Sequence, residues 1–150
     1  MKRTLGLEIT LGGIFYDNVK LANFLNEVFR TNRFGTVLDT AHILTTIRIY
    51  ERIFSDYEEI KEKFSIEKYF EKNKDVIKLI HLADLKNLGF RKGEHGVKFD
   101  NKEDMKFFID LYKKYEYDCD ITIEITEKDY VKNENFENNF KMLNEILNEY

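Results

Sequence analysis

The sequence predicts an α/β fold built from parallel β/α units, in one domain spanning residues 1–150. Three observations predict it. Four short runs rich in branched apolar residues recur along the chain. Each is followed by a longer stretch with apolar residues at helical spacing. The runs begin on the order of 30 to 45 residues apart, the size of one β/α unit with its loops. Such alternation favours a parallel sheet joined by right-handed crossovers.

The first run, Leu5–Ile9, reads as a strand. The helical pattern after it, Tyr16 to Arg30, carries Val19, Leu21, Ala22, Phe24, Leu25, Val28 and Phe29 as a wide apolar stripe. The second run, Thr36–Leu38, precedes Leu44 to Phe70. That stretch reads as two helices burying Ile49, Ile53, Phe54, Tyr57, Ile60 and Phe64. The third run, Val76–Ile80, leads into a glycine-containing segment read as a loop, then a helix from Lys102 to Tyr115. Met105, Phe108, Ile109 and Tyr112 stand there at i, i+3, i+4 and i+7. The fourth run, Asp120–Ile125, precedes Phe136 to Tyr150, with Phe136, Phe140, Leu143 and Leu147 as its stripe.

Composition narrows the class. Apolar residues make up 43% and aromatics 15%, enough for a sizeable core and too many for a disordered chain. The 24 basic and 28 acidic residues leave a net charge of −4, so no global basic field advertises nucleic acid or an anionic membrane. Cys119 has no second cysteine to pair with, which fits a reducing compartment. No apolar run approaches the roughly 20 residues of a membrane span. The opening MKRTLGLEIT lacks the apolar core of a signal peptide. The expected location is cytoplasmic, or nuclear in a eukaryote, and not secreted or membrane-bound. At 150 residues the chain is too short for a complete eight-unit barrel, which takes about 250 residues.

Each strand ends near a residue able to bind a metal: Glu8, Asp39, His81 and Glu124. A carboxylate in an apolar parallel strand is costly unless paired, hydrogen-bonded or metal-bound. Four at equivalent positions point to one place, the C-terminal edge of the sheet. Three carboxylates and an imidazole suit zinc, manganese or iron. Each residue alone is explained as well by a helix N-cap or a polar strand exit. The three histidines, His42, His81 and His95, all fall just beyond strand ends.

These residues resemble a known family. LDTAH (Leu38–His42) and IHLADLKNLGFRKGEH (Ile80–His95) are similar to the DTCH and HLND-K-N-LGS-R-DRH segments of the endonuclease IV family of abasic-site endonucleases. LEITLGG (Leu7–Gly13) and ITIEIT (Ile121–Thr126) resemble its LENTAG and ILET. The resemblance implies the last four β/α units, strands 5–8, of a TIM barrel of the xylose isomerase-like superfamily. It implies a zinc-dependent phosphodiesterase that cuts damaged double-stranded DNA 5′ of abasic sites in base excision repair, with Mn²⁺ as an alternative to Zn²⁺. Glu8 then matches a carboxylate bridging two metals. Asp39, His81 and Glu124 match the other ligands of one of them, and His42 and His95 match ligands of a third. Glu8 and Glu124 take the catalytic role. Lys86, Arg91 and Lys92 are candidate contacts to DNA phosphates. The sequence departs from the family at Gly93, where a third-metal carboxylate is expected, and at Ile47–Tyr50, which replaces its Gly-Tyr-Asp.

A half barrel exposes two sheet edges, so the expected partner is a second copy or a complementing N-terminal half. In the isolated chain, activity is expected to be weak or absent. Two other readings stand beside the nuclease: a single-metal sugar isomerase or epimerase of the same superfamily, and a non-catalytic remnant.

Overall fold

A computed structural model of the protein describes residues 5–8, 15–53, 65–89, 92–127, 129 and 131–150. Within these, residues 5–8, 15–17, 48–53, 85–89 and 92–97 are described by their backbone.

The elements run β1 (Leu5–Glu8), α1 (Phe15–Val28), β2 (Phe34–Asp39), α2 (Thr40–Ile53), α3 (Ile66–Asn73), β3 (Ile77–Leu82), β4 (Asp84–Gly89), β5 (Lys92–Val97), α4 (Lys102–Lys114), β6 (Asp120–Ile123) and α5 (Glu134–Leu147). Strands β1, β2, β3 and β6 form one parallel sheet in that order. The α/β class and the parallel order are those the sequence predicts. Bounds move by a few residues; β2, for example, runs from Phe34 to Asp39 and β3 from Ile77 to Leu82. Among the described residues, the long stretch after β2 holds two helices, and α2 starts at Thr40 rather than Leu44. Phe54, Tyr57, Ile60 and Phe64 lie outside the described residues.

One element overturns the sequence reading. The segment after β3, read as a loop, holds an antiparallel pair, β4 with β5. Its residues, DLKNLG and KGEHGV, show no apolar run or alternation, so the sequence carries no strand signal for the pairing.

The five described helices feed one core. Val19 of α1, Ile43 of α2, Phe70 of α3, Met105 of α4 and Ile146 of α5 cluster with Leu38, Ile77, Ile80 and Leu82 of the sheet. Ile77, Ile80 and Leu82 reach the same side because the β2–β3 register shifts between Thr36 and Val37. Without that irregularity, strict alternation would turn Ile77 away from Ile80. Beside the shift the backbones crowd. A Cβ on Gly35 would lie 2.7 Å from the Val76 carbonyl oxygen, so only glycine fits.

Helix starts follow local chemistry. Ser65 Oγ accepts from the Lys68 amide at 3.2 Å and Asn101 Oδ1 from the Asp104 amide at 2.9 Å. Helix α4 also carries Glu103 and Asp104 in its first turn and Lys113 and Lys114 in its last, each matched to the helix dipole.

Candidate metal centre

Leu38, Ile80 and Ile121 stand in register and belong to the core. The next residues along, Asp39, His81 and Thr122, are also in register and turn to the opposite face of the sheet. Alternation therefore sends a polar row to the side away from the helices.

Asp39 is the last residue of β2 and is fully buried. Its Oδ1 accepts from the His42 amide at 2.9 Å, which makes it the N-cap of α2. The N-cap explanation offered by the sequence is thus realised, and it uses only one carboxylate oxygen. The other, Oδ2, lies 4.0 Å from His42 Nε2.

His81 sits beside Asp39 on β3. Glu124 follows β6 directly, and its amide donates to the Leu82 carbonyl at 3.1 Å, continuing the sheet pairing by one step. That bond brings the Glu124 carboxylate to His81: Oε2 is 2.7 Å from Nδ1, and both atoms are sealed from solvent. One ligand atom each from Asp39, His81 and Glu124 lies within 4.8 Å of the other two. Ligands held tetrahedrally around zinc at about 2.1 Å are about 3.4 Å apart, a closing that side-chain adjustment supplies. Two carboxylates and an imidazole fit a divalent ion of borderline hardness, zinc, manganese or iron.

A residue the sequence reading missed fixes this arrangement. Thr40 Oγ1 donates to the Ala83 carbonyl at 2.6 Å and accepts from the Ala83 amide at 2.9 Å. Thr40 follows Asp39, and Ala83 lies two residues after His81. The clamp therefore locks the exits of β2 and β3 side by side.

The remaining candidates separate. Glu8 is in register with Val37, two residues short of Asp39, and its side chain lies outside the description. His42, in the first turn of α2, flanks the trio through Asp39 and does not join it. His95, Lys86 and Lys92 lie on the hairpin strands rather than in a loop. They pair with Leu85, Glu94 and Gly89 respectively, and their side chains are not described. Arg91 lies outside the described residues.

No protein-family model matches the chain, and it matches no curated protein and no solved structure.

Proposed function

We propose that the protein is a metal-dependent phosphodiester hydrolase of the endonuclease IV type, cutting damaged double-stranded DNA 5′ of an abasic site with zinc, or manganese, at Asp39, His81 and Glu124. The observation that carries the metal reading is the convergence of three ligand atoms within 4.8 Å, from the C-terminal ends of three adjacent parallel strands. The C-terminal edge of such strands is where α/β folds place their chemistry. The residue patterns around Asp39 and His81 carry the choice of DNA.

A bound ion supplies a Lewis acid and lowers the pKa of its water toward neutrality. Glu124 holds that ion and keeps the His81 ring in place. The Asp39 carboxylate is oriented by the α2 amide that it caps. Glu8, on the strand beside β2, would be the carboxylate that bridges this ion to a second one whose other ligands a further polypeptide supplies. Lys86, Arg91 and Lys92 take sequence-independent contacts to the DNA backbone. The barrel reading belongs to the same proposal: β1, β2, β3 and β6 are four consecutive strands of an eight-stranded parallel barrel.

A single-metal sugar isomerase or epimerase is favoured by one fact: the described residues gather one ligand set. Elemental analysis and incision of a duplex with one synthetic abasic site separate the readings. The nuclease reading expects bound zinc and incision that Glu124→Ala abolishes. Bound metal without incision, at any protein concentration, turns the choice to the isomerase. A protein without affinity for zinc or manganese is a remnant, and the metal reading fails.

A further inference from the structure

We propose that two copies of this chain pair head to tail, β1 of each beside β6 of the other, to close one eight-stranded barrel. The proposal rests on the barrel reading above, but not on which reaction the metal site performs.

Among the described residues the sheet ends at β1 on one side and at β6 on the other. Open edges leave backbone donors and acceptors ready to pair. The face that carries Asp39 is covered at β2, where Val37 and Asp39 are buried, and opens toward β6. Ile80 and Leu82 are buried under the helices, whereas on the other face His81 and Leu79 are half-buried and Asp120 and Thr122 are exposed. Parallel sheets occur almost only with both faces covered. Among the described residues, two sheet edges and the β6 side of one face stand without cover.

The helices at both ends carry matching surfaces. On α1, which packs against β1 and β2, Leu21, Phe24 and Val28 recur at i, i+3 and i+7, and Phe29 follows. All four are exposed, Phe24 at 59%. At the other end, α5 packs against β6 and α4. Its Phe136 and Phe140 rings stack at 6.0 Å, with Phe140 50% exposed. Charge distinguishes the two surfaces. The exposed charges on and just after α1 are Lys20, Arg30 and Arg33 against Glu27; those on and just before α5 are Glu134, Glu137 and Glu145 against Lys132 and Lys141. A basic-rimmed apolar surface and an acidic-rimmed one complement each other and repel themselves.

Because both surfaces lie on one chain, at opposite edges of one sheet, a second copy satisfies both. A two-fold axis along the barrel keeps every strand parallel. Four strands from each copy make the eight whose interior side chains can fill. A head-to-tail contact forms a closed ring when its rotation closes, here after two copies. Both Asp39–His81–Glu124 trios then stand at the same end of the barrel.

Sedimentation of the full chain over a dilution series is expected to show a monomer–dimer equilibrium. Phe24→Glu and Phe140→Glu should each raise its dissociation constant about tenfold or more, the effect of losing an interface anchor. An equimolar mixture of the two variants should recover dimer, because one of its two junctions then keeps both aromatic surfaces. Recovery would not occur if like surfaces met, and its absence overturns the proposal. So do a monomer at the highest soluble concentration, assemblies beyond two, or a dimer indifferent to both substitutions. Should a variant fail to fold, hydrogen exchange on the unaltered chain decides. Amides of Leu5–Glu8 and Asp120–Ile123 gain protection on dimerisation, and protection that ignores concentration refutes the pairing.

Discussion

The Thr40 hydroxyl makes two hydrogen bonds to a single residue, Ala83, and both partners are buried. Replacing it with valine keeps the shape and orphans a buried amide and a buried carbonyl. Leaving such groups unsatisfied costs about 1–3 kcal/mol. Thr40→Val is therefore expected to lower the unfolding free energy measured in urea by that amount. It should also weaken zinc binding about tenfold, the lower end of what loss of a supporting group costs a metal site. Isothermal titration checks the second effect, and unchanged zinc affinity would show that the clamp does not position the trio. Asp39 and His81 were legible as candidates because each is a polar residue closing an apolar run. Thr40 was not. Its partner is 43 residues away, and nothing near it in the chain announces the pairing.

Helix α5 illustrates an element whose start depends on a distant residue. Its N-cap residue, Asn133, has φ 51° and makes no side-chain cap bond. Buried Glu127 supplies the cap instead, accepting from the Phe136 amide at 2.6 Å. Its charge also suits the positive end of the helix. Glu127→Ala is expected to cost about 1 kcal/mol, the usual worth of a cap, whereas Glu127→Gln keeps an acceptor and should cost less. Urea unfolding measures both, and equal losses would leave the charge without a role. Asn139 of the same helix reaches back to α4's approach: its Oδ1 accepts from the Phe99 amide at 2.7 Å and its Nδ2 donates to the Phe99 carbonyl at 3.2 Å. The helices were legible because their apolar spacing is local. The β4–β5 pair was not, since its ladder joins residues whose side chains give no alternating pattern.

At the scale of the whole molecule, stability is expected to fall on the alkaline side. Burial pushes the Cys119 thiol up to about 11 from an ordinary 9.0. Burial likewise raises the phenols of Tyr117, whose hydroxyl donates to the Phe70 carbonyl at 2.7 Å, and of Tyr112, which donates to the Cys119 carbonyl at 2.9 Å. A group whose pKa is raised by folding adds stability that is whole below its unfolded pKa. That stability drains as pH climbs through the folded value. For Cys119 the window runs from 9.0 to about 11. Melting temperatures of the native chain and of Cys119→Ala should therefore run parallel below that window. Within it the native chain should lose several degrees relative to the variant. Parallel profiles throughout would mean that the thiol titrates alike in both states.

The sequence by itself determined the α/β class, the four parallel strands with the helices that follow them, and which polar residues close those strands. These follow from periodicity and from the residue at each strand exit, both of which are local. Tertiary structure alone decided which of those residues meet. Asp39 and His81 come level because β2 and β3 pair in that register, and Glu124 reaches them through its bond to Leu82. His42, which the resemblance assigns to a different metal, stands beside them: its amide is bound in the α2 cap and its Nε2 lies 4.0 Å from Asp39 Oδ2. Register, bulge and clamp are all contacts between residues far apart in the chain, and no local pattern encodes them.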